Sequence, residues 1–110
     1  MFGYLSKIMY IVVLITSPKS HAKKIAESLL SKKLIACANI IKRVDSLFWW
    51  QKKIDGAKES LIIIKTKKNL FVKLVKAVKA MHPYQVPEII ALPILSGNKE
   101  YLEWIDESYR

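Results

Sequence analysis

The stretch MYIVVLIT, residues 9–16, is apolar at almost every position and rich in β-branched side chains. A continuous run of this kind predicts a strand buried on both faces, where a half-buried strand would alternate. Ser17 and Pro18 follow at once, an N-cap and a first helical residue. Ala22, Ile25, Ala26, Leu29 and Leu30 then recur at helical spacing, so a first helix runs to about Lys33. Strand into helix is the first half of a βαβ unit, and the order of what comes next decides its kind.

LIACANIIKRV (34–44) and SLFWWQKKI (46–54) are short apolar runs of β-formers, DGAKES (55–60) carries turn chemistry, and LIIIKT (61–66) is a further strand. The middle of this region is either a long bent strand or a hairpin arm. From Asn69 the helical period returns: Leu70, Phe71, Leu74, Val75, Val78 and Met81 share one side, with Lys73, Lys76 and Lys79 roughly opposite. Pro83 ends that helix by pushing the residue before it out of helical geometry. PEIIALPIL (87–95) predicts a strand whose Pro93 sits at an edge or a bulge. Asn98 caps a short last helix that turns Tyr101, Leu102 and Ile105 inward.

Strand, helix, strand pair, helix, strand, helix predicts an α+β fold of the ferredoxin-like, split βαβ type, as one domain over residues 9–110 with residues 1–8 as an extension. Two helices cover one face of such a sheet. VVLI, LFWW and LIII are apolar at successive positions, so the other face also calls for cover, and a second copy of the chain is the natural source.

With 52% hydrophobic residues, 3 Gly and 4 Pro, the chain is not of a disordered class. Its net charge of +10 comes from 19 basic against 9 acidic residues. The lysines stand in pairs along the whole length (Lys23 and Lys24, Lys32 and Lys33, Lys52 and Lys53, Lys67 and Lys68), which predicts a solvated surface and no nucleic-acid partner. Residues 57–62 also lack the glycine and aromatic pattern of an RNA-recognition strand. A single cysteine, Cys37, forms no internal disulfide and suits a reducing, cytoplasmic address. The opening MFGYLSKIMYIVVLI has no basic leader or cleavage site and falls short of the ~20 residues of a membrane span, so no membrane partner is expected.

The chain has no Gly-rich phosphate loop, Cys-x-x-Cys, His-Glu-x-x-His or serine elbow, which points away from an enzyme. Glu100, Glu103, Asp106 and Glu107 read as the exposed side of the last helix, and His21 as a surface residue. Trp49 and Trp50 fall on opposite faces of a strand, one packing inward and one free for an interface. Cys37 reads as a small buried hydrophobe, and Lys65 either snorkels to water or reaches a pocket. His82 beside the Met81 thioether is a donor pair for a soft cation such as Cu(I), although a helix-capping histidine accounts for it too.

LIACANI (34–40), FWWQKKI (48–54), IIIKT (62–66), HPYQVPEII (82–90) and YLEWI (101–105) resemble, in order and at matching intervals, the CutA divalent-cation-tolerance family. The resemblance runs from about Met9 to the C-terminus. It implies a cytoplasmic, non-enzymatic homotrimer concerned with tolerance of and response to metal ions, needing no cofactor, with copper or another divalent cation as its ion. It implies His82 as a metal ligand, with Met81 where copper-binding bacterial members have a second histidine and Ile15 where they have a cysteine; copper binding here would therefore be weak. It also implies that Cys37, Trp50, Glu59, Lys65, Tyr84 and Pro87 surround a cleft between subunits. A trimeric scaffold or signalling protein, with small molecules in those clefts, is the alternative.

Overall fold

Chain order and strand order together define the architecture. The structure is a computed structural model describing residues 9–108, so the expected extension at 1–8 lies outside the described residues. Along the chain run β1 (Tyr10–Ser17), α1 (Lys19–Ser31), β2 (Cys37–Trp50) and β3 (Lys53–Lys67). A 3-10 turn (Lys68–Leu70) then leads into α2 (Phe71–Met81), β4 (Ile89–Pro93) and α3 (Lys99–Glu107). The sheet order is β2-β3-β1-β4 with every neighbouring pair antiparallel. Each βαβ unit is thus split by a strand of the other, which is the expected ferredoxin-like sandwich. Pro93 closes the edge strand β4, where its missing N–H costs no ladder bond.

β1 alternates in burial: Ile11, Val13, Ile15 and Ser17 are buried, while Val12, Leu14 and Thr16 are half-buried. The first set packs with Ile62 and Ile64 of β3 beneath Ala22, Ile25, Ala26 and Leu29 of α1 and Leu74 and Val78 of α2. Burial on both faces was the expectation, and a single chain achieves it on one. The other face presents Val12, Leu14, Leu61, Ile63, Ile90 and Leu92, the last two 48% and 49% exposed. Among the described residues its far end is covered by α3, whose Leu102 and Ile105 pack on Tyr10 and Ala36. Asp106, expected on the solvent side of α3, turns inward instead: one oxygen accepts from the Tyr10 hydroxyl at 2.6 Å and the other lies 3.2 Å from Lys67 Nζ.

Local chemistry shifts three boundaries. Ser17 is the last residue of β1 and Pro18 itself is the N-cap of α1. The helix stops at Ser31, where Leu34 N–H bonds the Leu29 carbonyl and Lys33 N–H the Leu30 carbonyl, both at 3.0 Å. That pair of bonds is a Schellman end, with Lys33 at φ 58 in the left-handed position that glycine usually takes. The third shift concerns the strand pair. DGAKES does not turn; it lies inside β3, and the reversal is the two-residue loop Gln51–Lys52, with positive φ at both positions as a type I′ hairpin requires. Gly56 serves close approach: a Cβ there would stand 3.2 Å from Leu47 Cδ2 and from the Ser46 carbonyl.

Beyond Ser60 the β2–β3 pair leaves the rest of the sheet as a two-stranded arm, since β1 pairs no further than Ser17 with Ser60. A bulge between Ile41 and Val44 sets its facing: Lys42 and Arg43 oppose the single residue Ser60, whose hydroxyl donates to the Lys42 carbonyl at 2.7 Å. The extra residue flips the side-chain alternation of β2. Ser46, Phe48 and Trp50 therefore join Glu59, Ala57 and Asp55 on the open side of the sheet. Trp49 and Trp50 do fall on opposite faces, but neither packs inward, at 74% and 61% exposed, because no helix extends over the arm.

Candidate functional site

The corner MHPYQVPE, residues 81–88, connects α2 to β4 beneath the arm. His82 caps α2 through its own N–H, which bonds the Val78 carbonyl at 2.8 Å, and its backbone is extended as the following Pro83 demands. The imidazole is buried. Tyr84 N–H donates to Nδ1 at 3.1 Å, so that nitrogen is an acceptor and Nε2 carries the proton, which it donates to the Thr16 carbonyl at 2.8 Å. His82 thereby clips the end of α2 to the end of β1. The rings of His82 and Tyr84 lie 4.8 Å apart, and the Tyr84 hydroxyl donates to Glu59 Oε2 at 2.8 Å. Burial, and then the Glu59 carboxylate accepting that proton, push the Tyr84 phenol up to about 12.

Between this corner and the arm lies a groove of about 650 Å³, walled by the aromatic rings of Phe48, Trp50 and Tyr84. Its ionisable carboxyl groups are Asp55, Glu59 and Glu88, and among the described residues no lysine or arginine lines it, in a chain of net charge +10. Three carboxylates gathered in one groove favour a cation locally, against the positive charge of the chain as a whole.

The expected site residues separate into two groups. His82, Tyr84, Glu59 and Trp50 come together around the groove, with Pro87 in the corner that forms one wall. Cys37 and Lys65 pair across β2 and β3 at the other end of the open face, six residues along β3 from Glu59, roughly 20 Å. There the Lys65 ammonium donates to Asn39 Oδ1, and Cys37 Sγ lies 3.5 Å from the Tyr101 hydroxyl. That contact, together with burial, pushes the Tyr101 phenol up to about 12. Met81 packs its thioether against the main core. Among the described residues, no three of His, Cys, Asp and Glu converge as a metal site, and a cation at Nδ1 of His82 must displace the Tyr84 N–H. One chain therefore lacks a closed set of metal ligands. Asp55, Glu88, Asn39 and Tyr101 carry no sequence mark of a site; strand pairing brings Asp55 and Asn39 to their neighbours, the docking of α3 brings Tyr101 to Cys37, and the corner before β4 brings Glu88 to the groove.

This geometry sits on a backbone with close relatives. The family model described as CutA1 divalent ion tolerance protein matches residues 11–108. The chain belongs to that family. It is 47% identical over 98 residues to the divalent-cation tolerance protein CutA of Thermus thermophilus, covering 88% of this chain and 95% of the relative. It is 48% identical over 101 residues to the chloroplastic protein CutA 1 of rice, 91% of this chain but 57% of the longer plant protein. The solved structure of the periplasmic divalent cation tolerance protein CutA from Archaeoglobus fulgidus superposes with a TM-score of 0.89 at 46% identity, covering 93% of this chain and 100% of the other. Family membership and the ferredoxin-like fold agree with the resemblance read from the sequence.

The phenols carry a pH signature. Tyrosine ordinarily loses its proton near 10, and Tyr84 and Tyr101 hold theirs to about 12. The folded state then binds more protons than the unfolded chain between those values, so the contribution is complete below about 10 and is lost as pH rises through about 12. Ultraviolet titration of phenolate should show a late-ionising fraction to which Tyr84 and Tyr101 contribute, and Tyr84→Phe should reduce it by one tyrosine; an unchanged late amplitude in that variant would place the shift elsewhere.

Proposed function

We propose that this chain serves tolerance of divalent cations as a binding protein, not an enzyme, working as a cytoplasmic homotrimer that gathers copper or another divalent cation weakly at the groove beside His82. The observation that carries it is the groove whose ionisable walls are all acidic in a strongly basic chain. The open apolar sheet face supports assembly, since Leu14, Ile63 and their neighbours stay partly exposed among the described residues. A neighbouring copy laid on that face would also bring its Cys37 and Lys65 end toward the Glu59 and Tyr84 end of the first and complete the ligand set that one chain lacks. His82 contributes Nδ1 once Tyr84 N–H is displaced, and Met81 contributes only if the end of α2 opens.

Titration with Cu(II) and Zn(II), followed by calorimetry and by the fluorescence of Trp50, tests this. Glu59→Gln should weaken binding about tenfold, and His82→Ala should weaken it further. Equal affinity in wild type and His82→Ala would remove the histidine from the site, and equal affinity in Glu59→Gln would remove the groove. The three aromatic walls favour one other reading, a cleft for a small organic molecule. Thermal stabilisation by such a molecule that survives a chelator and disappears in Lys65→Ala would select it.

A further inference from the structure

Along the sequence the lysine pairs look evenly spread, but the fold gathers them. α1 and the residues closing it carry Lys19, Lys23, Lys24, Lys32 and Lys33, all exposed. Lys68, Lys73, Lys76 and Lys79 are exposed on the turn and helix that pack beside it on the same face of the sheet. Against these nine, the layer holds one carboxylate, Glu27. None of the nine is ion-paired among the described residues; the pair that is formed, Lys67 with Asp106, belongs to the opposite face. Four of the nine acidic residues of the chain are instead on α3, across the sheet.

We propose that the α1–α2 layer is a docking surface for an anionic lipid bilayer. Clusters of four to eight basic residues on a helical surface are attracted to acidic headgroups, and each lysine adds to the attraction within a Debye length. The details favour a bilayer over nucleic acid. Every basic residue of the layer is lysine, a point charge without the fork by which arginine reads guanine. The layer offers no exposed Phe, Tyr or Trp for base stacking, since Phe71 packs into the core, and its one further ring, His21, is half-buried beside Ser20. Val72, 81% exposed, and Leu30, 42% exposed, stand among the lysines and give a headgroup interface apolar side chains to take up. Two helices lying side by side on a sheet also make a broad surface, which meets a membrane with more of its charges than it can bring to a cylindrical duplex. The contact is peripheral: no helix among the described residues is long and apolar enough to cross a membrane. It also leaves the open sheet face free for assembly.

Sedimentation of the full chain with vesicles tests the assignment. Vesicles of phosphatidylcholine with phosphatidylserine should carry the protein down, pure phosphatidylcholine should not, and high salt should release it. Lys73→Glu/Lys76→Glu/Lys79→Glu should lower the partition coefficient at least about tenfold. Lys52→Glu/Lys53→Glu/Lys58→Glu on the arm makes the same change of net charge and should keep most of the binding; circular dichroism confirms that both variants fold. Absence of binding to the acidic vesicles, equal loss in the two variants, or equally strong retention by a DNA duplex at the same salt would each overturn the proposal.

Discussion

Ile62→Ala should cost about 3 kcal/mol of unfolding free energy, the size expected when a fully buried isoleucine leaves a cavity that its neighbours cannot close. Ile62 is wholly buried on β3, paired in register with Ile15 on one side and Ile40 on the other, under α1 and α2. For a chain of this length the loss corresponds to a fall in Tm on the order of 10 °C or more. The comparison variant is Ile54→Ala on the arm, 69% exposed, for which the change should stay within about 0.5 kcal/mol. Denaturant melts at one fixed protein concentration check both, because assembly adds to apparent stability. Equal costs at the two positions would mean that the α1–α2 side of the sheet is not the dominant core.

Leu14→Glu should convert the proposed trimer to single chains. Leu14 is half-buried at the centre of the open face, opposite Ile63 on β3 and Ile90 on β4. In one chain the new carboxylate points to water and leaves the α1–α2 core untouched. Between copies it would be a buried, unpaired charge, which costs several kcal/mol, and a symmetric trimer would bury three of them. Light scattering should therefore find three chains for the wild type and 12.7 kDa, one chain, for the variant. A wild type already at the single-chain mass would remove the trimer from the proposed function; an unshifted variant would move its interface to another surface.

Periodicity located the elements well, because α1, α2 and the β1 and β3 cores depend on local patterns that burial then enforces: Leu74 and Val78 are the buried residues of α2, and Ile62 and Ile64 are fully buried on β3. The β2–β3 hairpin is not where sequence signals put it, for a physical reason. Asp55–Gly56 is a strong turn signal, yet Gly56 is needed in the strand for close approach to Leu47, and the turn is made by Gln51 and Lys52, which carry no sequence mark of left-handed backbone. The bulge at Lys42 and Arg43 is equally silent, although it decides that Trp50 and not Trp49 faces the groove. His82 was recognisable as a residue of interest, but its bonds to Thr16 and Tyr84 depend on where β1 ends. The groove itself could not be read from sequence spacing, since Asp55 and Glu59 come from β3 and Tyr84 and Glu88 from the corner between α2 and β4.

The same bulge has a bearing on solubility. β2 is an outer strand of fourteen residues, and an unpaired edge of that length invites another chain to add a strand, then another, toward fibrous aggregate. Two residues opposite one at Lys42 and Arg43 break the regular spacing of donors and acceptors along the edge and place two positive charges at the break. An incoming strand therefore meets two short, mismatched runs, so one extra residue opposes sheet-by-sheet polymerisation along this edge.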